Sequence, residues 1–220
     1  MVGRVFDVDE TAVQFRVDPL MRVIIVHGWD GHPEEGWFPW LKHELEKRGF
    51  KVEVPQLPDP ENPRIQNWVP TLAKVVGIPD KETYFVGHSI GCQTIARYLE
   101  SLPESVKVGG VVFVAGFFKH LSDLEKSGLE NDPEVQATVK HWLGTPINLE
   151  KVRTHLIKSV AIFSDNDPWV PLDNQDDFRE KLGSEIVIEH NKKHFTGSQG
   201  ILELPSVLES LLKISSKKKQ

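Results

Sequence analysis

The sequence is poor in cysteine: Cys92 is the single thiol among 220 residues. One cysteine cannot form a disulfide within the chain, and it cannot build a cysteine-based zinc site. A basic excess is also missing, because 32 Asp and Glu outnumber 26 Lys and Arg and give a formal net charge of −6. Nucleic-acid binders usually carry the opposite imbalance. We therefore expect no disulfide framework and no nucleic-acid partner.

Long hydrophobic runs are absent as well. Runs such as Val111–Phe118 are far shorter than the roughly 20 apolar residues that span a bilayer. The start, Met1–Asp7, carries charged residues where a secretory signal needs an apolar stretch. The chain length suits one domain over residues 1–220, with a flexible tail at 214–220. We expect a cytoplasmic monomer or homodimer that does not bind membranes.

What is present is an alternation of short apolar runs with longer amphipathic stretches. Nearly unbroken apolar runs are typical of strands buried on both faces of a parallel sheet, and the stretches between them show helical spacing. This order predicts an α/β fold in which helices cover both faces of a mostly parallel sheet. The predicted strands are Val23–Val26, Val52–Val54, Tyr84–Val86, Gly110–Val114, Val160–Phe163 and Ile186–Ile188, and the predicted helices are Trp37–Arg48, Arg64–Val76, Ile90–Leu102, Leu172–Leu182 and Ile201–Ile214.

Two regions depart from the alternation. In residues 1–20, Val13, Phe15 and Val17 alternate with polar residues, which predicts an N-terminal β-hairpin. Residues 116–158 are too long for one crossover and contain further helix-like runs, so we interpret them as a small cap inserted between two core strands.

A candidate nucleophile lies between a predicted strand and a predicted helix. Gly87-His88-Ser89-Ile90-Gly91 matches the pattern G-x-S-x-G. Such a turn forces the serine backbone into a strained conformation, and residues two positions away must lack side chains to avoid collision. Gly87 and Gly91 occupy those positions, so Ser89 is predicted to project from the carboxyl edge of the sheet.

Serine needs a base, and the base needs an acid that fixes its tautomer. Asp165 and Asp167 both follow the strand Val160–Phe163, and the chain order Ser, Asp, His is typical of α/β-hydrolases. We prefer Asp167, because an acid followed by x-x-Val-Pro is usual in this fold, and keep Asp165 as the alternative. His194 follows the last predicted strand and is the predicted base, whereas His190 is expected at the surface and no metal site is expected.

The loop after the first strand, His27-Gly28-Trp29, is in the position that supplies an oxyanion-hole amide. We expect the amides of Trp29 and Ile90 to form this hole. An aromatic lining would suit a small apolar acyl or aminoacyl group. The residues expected to line the substrate pocket are His27, Gly28, His88, Phe117, Phe118, Trp142, Trp169 and Phe195.

With these segments placed, residues from about Arg22 to Leu212 resemble the retinoblastoma-binding-protein-9-like serine hydrolases of the α/β-hydrolase superfamily. The resemblance implies a six-stranded, mostly parallel sheet, a triad of Ser89, Asp167 and His194, and no cofactor. It also favours Asp167 over Asp165, since the family acid directly precedes the proline. The matching motifs are Gly36–Leu41, Leu57–Pro60, Trp68–Pro70, Gly87–Gly91, Asp167–Pro168 with Pro171, and His194–Phe195.

Two features depart from that family. Its oxyanion loop usually reads closer to Pro-Gly-Asn, whereas this chain has His27-Gly28-Trp29, which bears on the identity of the donor. A Leu-x-Cys-x-Glu motif for a retinoblastoma-type pocket is absent, so the family name implies no such partner.

The sequence therefore predicts a serine hydrolase that cleaves a small, mostly apolar carboxylic ester through an acyl-enzyme. One alternative is an amidase or aminopeptidase, in which an acid of the cap receives the amino group of the substrate. The acids considered for that role are Glu125, Glu130 and Asp132. A second alternative is a binding protein on the same fold, without catalysis.

Overall fold

The computed structural model describes residues 20–122 and 132–216. The predicted N-terminal hairpin and the end of the predicted tail lie outside these residues. The described strands are β1 Arg22–Val26, β2 Lys51–Glu53, β3 Thr83–His88, β4 Val108–Val114, β5 Leu156–Ser164 and β6 Glu185–Glu189. The described α-helices are α1 Phe38–Glu46, α2 Ile65–Val76, α3 Ile90–Glu100, α4 Pro133–Gly144, α5 Leu149–His155, α6 Gln175–Glu180 and α7 Pro205–Ser215.

The six strands form one sheet in the order β2-β1-β3-β4-β5-β6, and every described pairing is parallel. Consecutive residues of β1 alternate between its faces: Val23 and Ile25 join one apolar core, and Ile24 and Val26 join the other. Helices α1 and α7 cover the first face, and α2 to α6 pack on the second. The predicted three-layer α/β sandwich is confirmed, with a sheet that is parallel throughout its described strands.

Parallel pairing places the carboxyl ends of all these strands at one edge. The loops after β1, β3, β5 and β6 therefore meet there, and they carry the residues singled out in the sequence. Within the described residues, no helix combines the length and the apolar character that crossing a bilayer requires.

Several element boundaries differ from the predicted ones. Helix α7 begins at Pro205 rather than Ile201, because proline suits the first helical turn, where its missing N–H is not needed. The predicted helix Leu172–Leu182 is divided into a 3₁₀ turn at Leu172–Asn174 and α6.

The predicted cap range, 116–158, extends too far. Strand β5 already begins at Leu156, but Lys158 and Ser159 separate its first two residues from the unbroken apolar run that marks the rest of the strand. Helix α5 also buries Leu149 and Val152 in the apolar core on the second face of the sheet, so it is part of the core layer. The described parts of the predicted cap that reach the candidate site are helix α4 and the segment directly after β4.

Candidate active site

The turn between β3 and α3 has the strained geometry that the G-x-S-x-G pattern predicts. Ser89 has φ 53° and ψ −123°, in a region that residues with a side chain rarely adopt. A Cβ atom on Gly91 would lie 2.5 Å from the carbonyl oxygens of Val26 and His27. A Cβ atom on Gly87 would lie 2.8 Å from Ile95 Cδ1. Both glycines are therefore required for the turn to approach β1 and α3.

Two backbone amides border the same space as Ser89. Trp29 and Ile90 line the cavity with Ser89, and within the described residues neither amide donates a hydrogen bond. The segment between β2 and α2 fixes the Trp29 loop. The indole Nε1 of Trp29 donates to the Glu61 carbonyl at 2.8 Å, and the Asp30 amide donates to the Pro60 carbonyl at 2.8 Å. Two free amides beside a serine can bind a developing oxyanion.

His194 and Asp167 form a buried hydrogen-bonded pair. Nδ1 of His194 lies 2.7 Å from Oδ2 of Asp167, and their side chains are 6% and 2% exposed. Oδ1 of Asp167 accepts the amides of Trp169 at 2.9 Å and Val170 at 3.0 Å. The carboxylate is thus fixed by its own loop, and its free oxygen orients the imidazole. His194 lines the same cavity as Ser89.

Asp165, the alternative acid, has other partners. Its Oδ2 lies 2.6 Å from Nδ1 of His190, and its Oδ1 accepts the Asn191 amide at 2.9 Å. These contacts lie at the exposed side of the loop, and among the described residues Asp165 does not line the cavity. The hydrogen bond to Asp165 and its charge hold the pKa of His190 above its usual value. The geometry pairs Asp167, not Asp165, with the histidine of the cavity.

His88, the residue before Ser89, supports His194 from behind. Burial lowers the pKa of His88 to about 3, so its ring is neutral near pH 7. Nε2–H of His88 donates to the His194 carbonyl at 2.8 Å, and the two ring centroids are 5.0 Å apart. The Trp169 ring packs edge-on against His194 at 4.8 Å. Both contacts restrict the position of the imidazole.

The cavity at this edge has a volume of about 440 Å³. One wall is apolar and is formed by the segment after β4, by α4 and by the loop after β5. The other wall, from the loop after β1 and the segment after β6, is polar and carries two acids. The apolar wall consists of Phe117, Leu121, Val135, Val139, Trp169 and Val170, and the polar wall includes Asp30, Glu35, Thr196 and Ser198.

Four of the eight predicted pocket residues line this cavity: Gly28, His88, Phe117 and Trp169. The other four, His27, Phe118, Trp142 and Phe195, are absent from the described lining of this cavity. His27 is fully buried beneath the loop, where Nε2 accepts the Leu57 amide at 3.0 Å.

Of the three aromatic residues, Trp142 and Phe195 are buried in the core and Phe118 packs against it. Phe118 stacks on Phe178 with centroids 4.6 Å apart, and Phe195 is fully buried on the α1 face of the sheet. Trp142 donates from Nε1 to the Pro63 carbonyl at 2.9 Å, which fastens α4 to the segment before α2. Their position along the chain could not distinguish core packing from cavity lining.

Glu35 is the most informative lining residue that the sequence analysis missed. It lies in the segment between β1 and α1, directly before the Gly36–Leu41 motif, which was the available signal. Its carboxyl accepts no hydrogen bond from the described residues, and burial raises its pKa despite opposing effects of His32 and His194. Val135 and Val139 were also missed, although their i, i+4 spacing on α4 marks one helix face.

Residues 23–213 match the family model described as serine hydrolase. The chain is 30% identical over 196 residues to YdeN of Bacillus subtilis (strain 168), which is named a hydrolase, covering 89% of this chain and 97% of that protein. It is 25% identical over 194 residues to the serine hydrolase RBBP9 of Rattus norvegicus, covering 87% of this chain and 95% of the relative.

Solved structures of the α/β-hydrolase fold are similar as well. The crystal structure of the ydeN gene product from B. subtilis superposes with a TM-score of 0.79 at 28% identity, covering 89% of this chain and 99% of that one. A structure from work on carboxylesterases of the thaumarchaeon Nitrososphaera gargenis gives a TM-score of 0.69 at 17% identity, covering 89% of this chain and 91% of that one. At this identity, the second likeness shows the fold alone.

Proposed function

The chain belongs to the serine hydrolase family, and we propose that it cleaves a small, mostly apolar carboxylic ester through an acyl-enzyme on Ser89. The observation that carries the proposal is the buried pair of His194 and Asp167 in the cavity of a strained serine. A hydroxyl alone is a weak nucleophile, and this arrangement supplies the base and the group that orients it.

In the first half-reaction, Oγ of Ser89 attacks the ester carbonyl carbon while Nε2 of His194 takes the hydroxyl proton. Asp167 holds Nδ1–H of His194, which leaves Nε2 as the free base. The amides of Trp29 and Ile90 bind the oxyanion, and each such donor is worth about 2.7–4 kcal/mol in comparable enzymes. The bond from the carbonyl carbon to the alcohol oxygen then breaks, and His194 returns the proton to the leaving alcohol.

In the second half-reaction, water replaces the alcohol. Nε2 of His194 takes a proton from water, whose oxygen attacks the acyl-enzyme carbonyl. Collapse of this intermediate breaks the bond to Oγ of Ser89, which regains its proton from His194. The free carboxylic acid leaves, and the enzyme returns to its starting state.

The size and lining of the cavity support small acyl groups. About 440 Å³ bounded on one side by apolar side chains suits a compact apolar group. We expect a panel of p-nitrophenyl esters to give the highest kcat/KM with short, uncharged acyl chains. A maximum at long chains would contradict the proposed substrate size.

A fluorophosphonate probe tests the nucleophile. We expect the probe to label the wild type and to leave Ser89→Ala unlabelled. Ser101→Ala is the matched control, because Ser101 is an exposed hydroxyl just after α3 and lies outside the cavity. Equal labelling of the wild type and Ser89→Ala would refute the proposal.

One observation favours amide or aminoacyl substrates as a second candidate function. Asp30 and Glu35 line the cavity, and within the described residues no lysine or arginine does. A substrate amino group would find an acidic wall there. Of the acids considered in the cap, Glu125 and Glu130 lie outside the described residues, and Asp132 caps α4 by accepting the Glu134 and Val135 amides.

Paired substrates distinguish the two candidates. For an aminoacyl substrate, we expect free-amine esters and anilides to have a kcat/KM at least about tenfold above their N-acetylated counterparts. Glu35→Gln should remove this preference while leaving turnover of neutral esters near the wild-type value. Equal turnover of free and acetylated substrates would favour the simple ester hydrolase.

A further inference from the structure

The loop that carries His194 has an unusual backbone. In this loop, residues 191–195, three residues have positive φ angles: Asn191 at 58°, Lys193 at 50° and Phe195 at 58°. Residues with a side chain rarely adopt this region, and such conformations persist only where the surrounding structure imposes them. Surrounding groups must therefore hold this loop in the shape that presents the imidazole.

The groups that hold the loop are hydrogen-bond acceptors. Each backbone amide from residue 191 to residue 195 donates to one of them. Four of the five acceptors are side chains, and three of these belong to consecutive residues directly before Asp167. The bonds are Asn191 to Asp165 Oδ1 at 2.9 Å, Lys192 to Ser164 Oγ at 3.0 Å, Lys193 to Asn166 Oδ1 at 2.8 Å, His194 to Gln199 Oε1 at 2.8 Å, and Phe195 to the Lys192 carbonyl at 3.0 Å.

Asn166 is the centre of this arrangement. Its Oδ1 accepts both the Lys193 amide at 2.8 Å and the Ser164 hydroxyl at 2.9 Å. The Ser164 hydroxyl thereby keeps its oxygen free to accept the Lys192 amide. Asn166, which directly precedes Asp167, is thus connected to Lys193 by a direct hydrogen bond and to Lys192 through the Ser164 hydroxyl.

We propose that Asn166 is a positioning residue for the acyl transfer: it fixes the histidine loop on the acid loop, and so holds Nδ1 of His194 against Asp167. The proposal rests on the proposed function of Ser89, His194 and Asp167. Asn166 is exposed and does not line the described cavity, so it acts through His194 and not on the substrate. Residues that orient a catalytic side chain affect turnover because small misplacements of reacting groups are costly.

Asn166→Ala, with Asn148→Ala as the matched control, tests this role. Asn148 is also exposed and accepts one backbone amide, that of Lys151 at 2.9 Å, but at the start of α5, outside the cavity lining. We expect Asn166→Ala to lower kcat on a short p-nitrophenyl ester by about ten- to a hundredfold with KM within about threefold of the wild type. We expect Asn148→Ala to keep both kcat and KM within about twofold of the wild type, even where it loses as much stability as Asn166→Ala.

A conservative variant separates positioning from general destabilisation. Asn166→Asp keeps an oxygen for the Lys193 amide and the Ser164 hydroxyl, and we expect it to recover most of the lost kcat. If Asn166→Ala does not fold, Ser164→Ala, which removes the acceptor of the Lys192 amide, takes its place. Wild-type turnover in folded Asn166→Ala, or equal losses in Asn148→Ala, would overturn the proposal.

A spectroscopic measurement keeps the result independent of turnover. The Nδ1–H proton of His194, bonded to Asp167, should give a far-downfield proton NMR signal that His190→Gln leaves in place. We expect this signal to shift or disappear in Asn166→Ala and to persist in Asn148→Ala. An unchanged signal in Asn166→Ala would overturn the positioning role, whereas equal ester turnover by Ser89→Ala would overturn only the proposed function.

Discussion

Nδ1 of His194 lies 2.7 Å from Oδ2 of Asp167, in a pair that is almost completely shielded from solvent. We expect Asp167→Asn to lower kcat on a p-nitrophenyl ester by about 10³- to 10⁴-fold, because an amide can donate to Nδ1 and favours the wrong tautomer of the imidazole. Steady-state kinetics on both proteins measures the loss.

Asp165→Asn is the matched control for that substitution. It removes the charge beside His190 but keeps the oxygen that accepts the Asn191 amide, so the loss of kcat should be far smaller. If Asp165→Asn were as damaging as Asp167→Asn, the assignment of the orienting acid to Asp167 would be wrong.

The serine turn depends on the absence of a side chain at Gly91. Because a Cβ there would lie 2.5 Å from two backbone oxygens, Gly91→Ala should lower the free energy of unfolding by at least about 2 kcal/mol. Gly144→Ala is the comparison, since a Cβ at the end of α4 meets nothing within 4 Å. Chemical denaturation should show the second variant within about 1 kcal/mol of the wild type, and similar losses in both would contradict the steric argument.

Cys92 should be unreactive in the folded protein. Its side chain is fully buried, its Sγ–H donates to the Gly87 carbonyl at 3.2 Å, and burial raises the pKa of the thiol. Since the thiolate is the reactive form, iodoacetamide should modify Cys92 only after unfolding in guanidinium. Mass spectrometry measures the modification, and rapid alkylation of native enzyme would contradict this account.

Stability should fall in acid because His88 must stay neutral in the folded state. Its folded pKa is about 3, whereas the unfolded chain takes up this proton below pH 6.5. The stabilising contribution is therefore complete above pH 6.5 and is lost as the pH falls from there toward 3, by at most about 1.4 kcal/mol per pH unit. Urea unfolding across this range measures the slope.

His88→Gln isolates that contribution. Glutamine keeps a donor for the His194 carbonyl but cannot titrate. The free energy of unfolding should therefore depend less steeply on pH between 6.5 and 3, by up to the contribution of one bound proton. His190→Gln, at an exposed residue whose pKa is raised, should not flatten the curve. An unchanged slope in His88→Gln would show that other groups dominate the acid response.

The lining of the cavity shows where sequence reasoning reached its limit. Trp142 and Trp169 both lie in segments expected near the site, yet Trp142 donates to the Pro63 carbonyl in the core and Trp169 packs on His194. Glu35 borders the cavity, yet the only sequence signal for it was its position directly before the Gly36–Leu41 motif. Lining depends on which loops meet in space, and the pattern along one segment does not contain that information.

The layered α/β architecture and the position of the serine could be predicted from the sequence alone. Buried parallel strands leave nearly unbroken apolar runs, and the turn at Ser89 requires glycine at positions 87 and 91. Each feature therefore leaves a signal within one short stretch of sequence. The sequence favoured Asp167 as the partner of His194 but left Asp165 open, and the way this histidine is held became visible only in the folded chain. Asp165 and Asp167 are two residues apart in one loop, and their roles separate only where β6 places His190 and His194 beside them.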